Sequence, residues 1–229
     1  MGWQTMERVY YGDAEEQFFE VCANDDKSDK WLILVHGGYW RQKHSKENIK
    51  DLFEKLDSKG FNVVTIEYRR GEHGWPTPNE DVSAALTKFK QSDFYKGNQE
   101  IILIGHSVGG QLALLNEAAV DRVIALAPVT DVLFTYDEGL GQNAAKVYFG
   151  DDKKLMQQAS PIEKSNLTAP TLIVHGNNDD RVLVENTLDF ARKFGHANID
   201  LFIFNDLPHM ECVNPEHPVF PYLIEWISG

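Results

Sequence analysis

Short apolar runs recur along the chain at residues 31–35, 63–66, 101–104, 122–127 and 172–174. They are apolar at consecutive positions, which suits strands covered on both faces, as in a parallel sheet, better than half-exposed antiparallel ones. Between the runs, apolar residues fall at helical spacing. Ile49, Leu52, Phe53 and Leu56 form one stripe, ended by Gly60. Val82, Ala85, Leu86 and Phe89 form the next, opened by Pro78 and Asn79, and Val184, Leu188, Ala191 and Phe194 form another, stopped by Gly195. Alternation of strand and helix predicts an α/β fold with right-handed crossovers. Residues 8–11 and 17–23 read as two leading strands at an antiparallel edge. One stretch breaks the rhythm. About forty residues between Pro128 and Pro170 carry only weak helical signals, at 143–148 and 153–158, and a connection that long in a compact domain is a functional excursion. It is too short for a second domain, so residues 1–229 are expected to be one domain with a small cap at 131–169.

Composition narrows the function classes. Acidic residues outnumber basic ones by 35 to 22, a net charge of −13. Such a surface repels phosphate backbones and anionic lipid, which argues against nucleic-acid and membrane partners. The apolar runs are far too short to span a bilayer. Two cysteines, Cys22 and Cys212, make no disulfide framework and fit a reducing, cytoplasmic setting. Residues 1–13 show no basic stretch followed by an apolar one, so no signal peptide is read there. No HExxH, paired-cysteine or P-loop pattern occurs, so no cofactor, neither metal nor nucleotide, is implied. Gly139-Leu140-Gly141-Gln142-Asn143-Ala144 matches a dinucleotide fingerprint on paper but has no strand before it.

Gly105-His106-Ser107-Val108-Gly109 follows the run at 101–104 and opens a helix containing Leu112, Ala113 and Leu115. Glycines at both ends allow a sharp turn that leaves Ser107 projecting above the sheet. A chain of this composition contains roughly 0.05 such patterns by chance, and the strand-turn-helix context raises the match above that level. A serine hydroxyl needs a base, and the base an orienting acid, in the chain order Ser, Asp or Glu, His. His209, in a loop after the apolar run at 199–204, is the base in that order. His217, between Pro215 and Pro218, fits a capping or surface position. Three carboxylates follow strands at the expected edge: Asp179 in His175-Gly176-Asn177-Asn178-Asp179, its neighbour Asp180, and Asp131. His36-Gly37-Gly38-Tyr39-Trp40 follows the run at 31–35, where small residues let the Gly38 and Tyr39 amides, with that of Val108, approach a developing oxyanion.

These motifs carry a resemblance. The chain resembles the α/β-hydrolase superfamily over nearly its whole length, and is most similar to the bacterial esterases and arylformamidases (kynurenine formamidases) with an HGGYW oxyanion motif. The matching pieces are HGGYW at 36–40, EYRR at 67–70, WPTPNEDV at 75–82, GHSVGG at 105–110, HGNNDDRV at 175–182 and DLPHMECVNP at 206–215. The resemblance implies a mostly parallel eight-stranded sheet flanked by helices with a minimal cap, and makes the first acidic position of the HGxxDxxV pattern, Asp179, the catalytic one. Leu183 stands where relatives often carry proline.

The expected function is a serine hydrolase acting on a small-molecule ester through an acyl-enzyme, with Ser107, Asp179 and His209 as triad. A small cap and short chain point to an accessible pocket and a small acyl group. Trp40, Trp75, Phe134 and Tyr136 fall in loops that would line it. The first alternative is an amide substrate, an N-formylkynurenine-like aryl formamide; the second is a non-catalytic homologue binding a small ligand or partner.

Overall fold

The structure is a computed structural model describing residues 6–24, 29–195 and 197–229; residues 1–5, part of the segment read for a signal peptide, lie outside that description. Its centre is an eight-stranded sheet of β1 (Glu7–Tyr10), β2 (Phe18–Cys22), β3 (Lys30–Val35), β4 (Asn62–Ile66), β5 (Glu100–His106), β6 (Arg122–Leu126), β7 (Thr171–Gly176) and β8 (Ile199–Phe204). The spatial order is β1-β2-β4-β3-β5-β6-β7-β8. The two leading strands are antiparallel, as their separate position in the sequence suggested, and β3 to β8 are parallel.

The unbroken apolar runs have a direct cause. Trp31, Ile33 and Val35 of β3, with Ile101 and Leu103 of β5, join one core; Leu32, Leu34, Ile102 and Ile104 join another across the sheet. Helices α2 (Thr77–Lys90), α3 (Val108–Leu115) and α7 (Val184–Lys193) cover the first face with Leu86, Leu112 and Phe190. Helices α1 (Lys50–Ser58) and α8 (Phe220–Ser228) cover the second with Leu56 and Leu223. Each such buried side chain contributes about 1.5–3 kcal/mol. The chain winds outward from β3 to β4, then crosses to the other side of β3 for β5. The carboxyl ends of β3 and β5 therefore diverge at a switch point, where open α/β sheets form their binding crevices.

The excursion between β6 and β7 folds into three helices, α4 (Val132–Asp137), α5 (Leu140–Phe149) and α6 (Lys153–Ala159). The weak patterns covered α5 and α6; α4, six residues long, shows too little of a period to be seen. Buried polar groups pin both ends of the segment. The Asn186 side chain accepts from the Thr130 and Asp131 amides at 2.6 and 2.9 Å, and Glu117 accepts from those of Thr168 and Ala169 at 3.1 and 2.9 Å. The glycine-rich hexapeptide follows α4 and forms no strand-to-helix phosphate turn: Gly139, Gly141, Gln142 and Asn143 all have positive φ, a left-handed entry into α5. Among the described residues no helix is long and apolar enough to cross a membrane.

Candidate active site

Ser107 occupies the turn between β5 and α3 with φ 59° and ψ −120°, a backbone conformation that a non-glycine residue adopts only when its surroundings impose it. The surroundings are backbone. A Cβ on Gly105 would lie 2.0 Å from the Gly109 carbonyl oxygen, and one on Gly109 would lie 2.1 Å from that of Val35. The turn is thus packed against β3 with no room for side chains. The Ser107 amide donates to the Leu126 carbonyl at 2.8 Å, tying the turn to β6 as well.

His209 lies just past β8 and donates from Nδ1 to Asp179 Oδ2 at 2.6 Å. Asp179 sits in the loop after β7, where Oδ1 accepts the amides of Arg181 and Val182 at 2.9 and 3.0 Å. His175 approaches Oδ2 through Nε2 at 3.3 Å, while the same N–H donates to the Val182 carbonyl at 2.8 Å. Burial alone would favour the neutral acid, but the bonds from His175, His209 and the Val182 amide outweigh it and hold the Asp179 carboxyl well below the usual carboxylate range. The other two carboxylates are elsewhere: Asp180 is exposed, and Asp131 caps α4 by accepting the Phe134 amide at 3.0 Å. The Ser107 hydroxyl makes no hydrogen bond among the described residues.

His106, the residue before the serine, braces His209. Its Nε2–H donates to the His209 carbonyl at 3.0 Å, and the two rings lie 4.6 Å apart. Burial, reinforced by His209, pushes the His106 pKa down to about 3, so the ring is a neutral donor. Nothing in the sequence signalled this contact, which joins the ends of β5 and β8.

The turn after β3 is buttressed by the EYRR motif. His36 Nε2 meets Glu67 Oε1 at 3.0 Å, its ring stacks on Tyr68 at 4.4 Å, and the Tyr68 hydroxyl donates to the His36 carbonyl at 2.7 Å. Glu67 also accepts from Arg70 and from the Lys46 amide. Burial opposes ionisation of Glu67, but His36, Arg70 and that amide lower its pKa. The Gly38 and Tyr39 amides take part in none of the turn and loop hydrogen bonds among the described residues. Val108 opens α3, where first-turn amides have no intrahelical acceptor.

The four expected pocket aromatics separate. Trp40 is buried, donates to Gln111 Oε1 at 3.0 Å, stacks on Tyr148 of α5 at 5.6 Å and lines a cleft of about 460 Å³ with Tyr39, Arg41, His73 and Tyr148. Trp75 packs on Phe149, Tyr136 bonds Asp151 at 2.6 Å, and neither these two nor Phe134 lines the cleft. Ser107 is 2% and His209 5% exposed.

With this geometry in hand, the family follows from a sequence model named BD-FAE, which matches residues 20–194. The chain belongs to the BD-FAE family. This BD-FAE member is 31% identical over 114 residues to the kynurenine formamidase of Scheffersomyces stipitis, covering 46% of this chain and 41% of that protein. It is 35% identical over 121 residues to versiconal hemiacetal acetate esterase of Aspergillus parasiticus, covering 47% of this chain and 37% of that one. The chain thus spans about two-fifths of the length of these curated relatives. Esterase B from Lactobacillus rhamnosis has the same fold, with a TM-score of 0.79 at 19% identity over 98% of this chain and 84% of that one. The fold is that of an α/β-hydrolase.

Proposed function

We propose that this protein is a serine hydrolase that cleaves small carboxylic esters through an acyl-enzyme. The reading is carried by one observation: the buried His209–Asp179 bond of 2.6 Å, at the sheet edge where Ser107 is held on its strained turn. Ser107 Oγ attacks the carbonyl carbon while His209 Nε2 takes its proton. The resulting oxyanion is held by the amides of Gly38, Tyr39 and Val108, each donor of this kind being worth about 10²–10³ in rate. The intermediate collapses, the leaving alcohol takes the proton from His209, and water repeats the sequence to release the acid. Asp179 keeps Nδ1 protonated throughout, so that Nε2 stays free to accept. The tight enclosure of Ser107 favours a short acyl group. An aryl formamide, with the smallest acyl group, is the second reading; similarity to a kynurenine formamidase supports it, and its chemistry passes through the same intermediate.

A fluorophosphonate probe is expected to label Ser107 in the folded protein and to leave Ser107→Ala unmodified. Folded wild-type protein without an adduct refutes the enzyme reading and leaves a ligand-binding homologue. Comparison of p-nitrophenyl acetate with N-formylkynurenine then orders the substrates: a kcat/KM more than about tenfold higher for the formamide, or about 1.4 kcal/mol, reverses the preference for esters.

A further inference from the structure

We propose that the side chain of Tyr39 is a positioning residue whose hydroxyl holds the loop carrying Asp179 while its ring seats the left-handed entry of α5. The proposal rests on the serine-hydrolase reading and deepens it. An oxyanion donor at this position is a backbone amide that any residue could supply, so the tyrosine itself requires a separate account.

Its hydroxyl donates to the Arg181 carbonyl. The Arg181 amide in turn donates to Asp179 Oδ1 at 2.9 Å, and Asp179 Oδ2 takes the His209 proton donor at 2.6 Å. A short path therefore runs from the phenol to the imidazole through Arg181 and Asp179 of the acid loop. Burial, with Asp179 adding to it, raises the Tyr39 pKa far above its ordinary value, so the phenol stays a neutral donor. On the other side, a Cβ at Gly141 would lie 2.5 Å from Tyr39 Cε2, so this glycine's backbone rests directly on the ring. The Gly141 carbonyl also accepts from the Arg41 side chain. Gln142 and Asn143 beside it have φ of 60° and 56°, and Tyr39 and Trp40 have 50° and 59°. Non-glycine residues keep such conformations only where contacts over-determine them. Here two strained turns lean on each other through one aromatic ring, and that ring also anchors the acid loop.

Tyr39→Phe removes the hydroxyl and keeps the ring. With p-nitrophenyl acetate the expected result is a kcat about five- to tenfold lower, the loss of one buried hydrogen bond, with KM within about twofold. The far-downfield proton resonance of His209 Nδ1–H is expected to broaden, because a loosened Asp179 loop exchanges that proton faster; a merely structural tyrosine would leave it sharp. Gly141→Ala drives a methyl group into the ring from the cap side and is expected to act in the same direction, which tests the link if Tyr39→Phe does not fold. Folded variants with kcat within twofold of wild type and an unchanged resonance overturn the proposal while fluorophosphonate labelling of Ser107 leaves the hydrolase reading standing. Failure of wild type to label removes the reading on which the proposal rests.

Discussion

Replacing Asp179 by asparagine exchanges one oxygen for an amino group, and the surrounding donors dictate which one. The Arg181 and Val182 amides, at 2.9 and 3.0 Å from Oδ1, can only donate, so the asparagine oxygen must take that position. Its amino group then stands where Oδ2 accepted His209 at 2.6 Å. His175 cannot adapt, since its Nε2–H is already given to the Val182 carbonyl at 2.8 Å. His209 has to present a bare Nδ1 and carry its proton on Nε2, the nitrogen that should receive the serine proton. The protein folds with its base already occupied. A wrong tautomer of this kind costs about 10⁴ in kcat, or about 5 kcal/mol of transition-state stabilisation. The assay is kcat on p-nitrophenyl acetate at pH 8, with Asp180→Asn and Asp131→Asn as controls expected within about twofold, since one is exposed and the other keeps a capping oxygen. Asp179→Asn retaining more than a tenth of wild-type kcat would refute the reasoning, as would a hundredfold loss in either control.

Ser107→Gly should abolish turnover, by at least about 10⁴-fold, yet raise stability. Relief of a strained φ is worth about 1–3 kcal/mol against roughly 0.5–1 for glycine's unfolded freedom, so Tm is expected to rise by about 2–4 °C; a fall would contradict the strain. Glu67→Gln removes the charge facing Arg70 in a site where both residues are 4% exposed. Breaking such a buried pair costs about 3 kcal/mol, a Tm drop of about 6–12 °C, and kcat should fall with it as the His36 turn loosens; a drop under about 2 °C speaks against the buttress. Asp179, Glu67 and Glu117 all have lowered pKa values although burial opposes this, because hydrogen-bonding and charged partners prevail. Their contribution to stability is complete above the unfolded carboxylate values, about pH 4, and is lost as pH falls through the lower folded ones. Urea midpoints measured from pH 6 down to 3 should therefore decline less steeply in Asp179→Asn than in wild type, and parallel declines would exclude the effect.

The sheet was legible because its signal is local. Strands buried on both faces must be apolar at consecutive positions, and β3 to β7 carried that mark. The serine turn was legible for a similar reason: backbone packing at Gly105 and Gly109 excludes any other residue type. What could not be read were contacts between distant segments. No periodicity reveals that His106 reaches the His209 carbonyl, or that Glu67 answers His36. The choice among three carboxylates was open for the same reason, since the fate of Asp131 depended on α4, a helix too short to announce itself. For the aromatic residues expected around a pocket the limit was of another kind. Ring chemistry says that Trp75, Phe134 and Tyr136 want cover, and it does not say whether protein or substrate provides it; Trp75 found Phe149.

The groups of the candidate site hang from the ends of four strands, β3, β5, β7 and β8, each separated from the next by at least one helical crossover. No hairpin joins two of these strands. Assembling the site therefore waits for nearly every long-range pairing of the parallel sheet, the kind of contact that forms slowly because loop closure must precede reward. A partly folded chain can display most of its helices and still hold no working pair of groups. The proposed activity would consequently report on the last stages of folding, and its recovery after dilution from denaturant is expected to lag behind the return of helical signal.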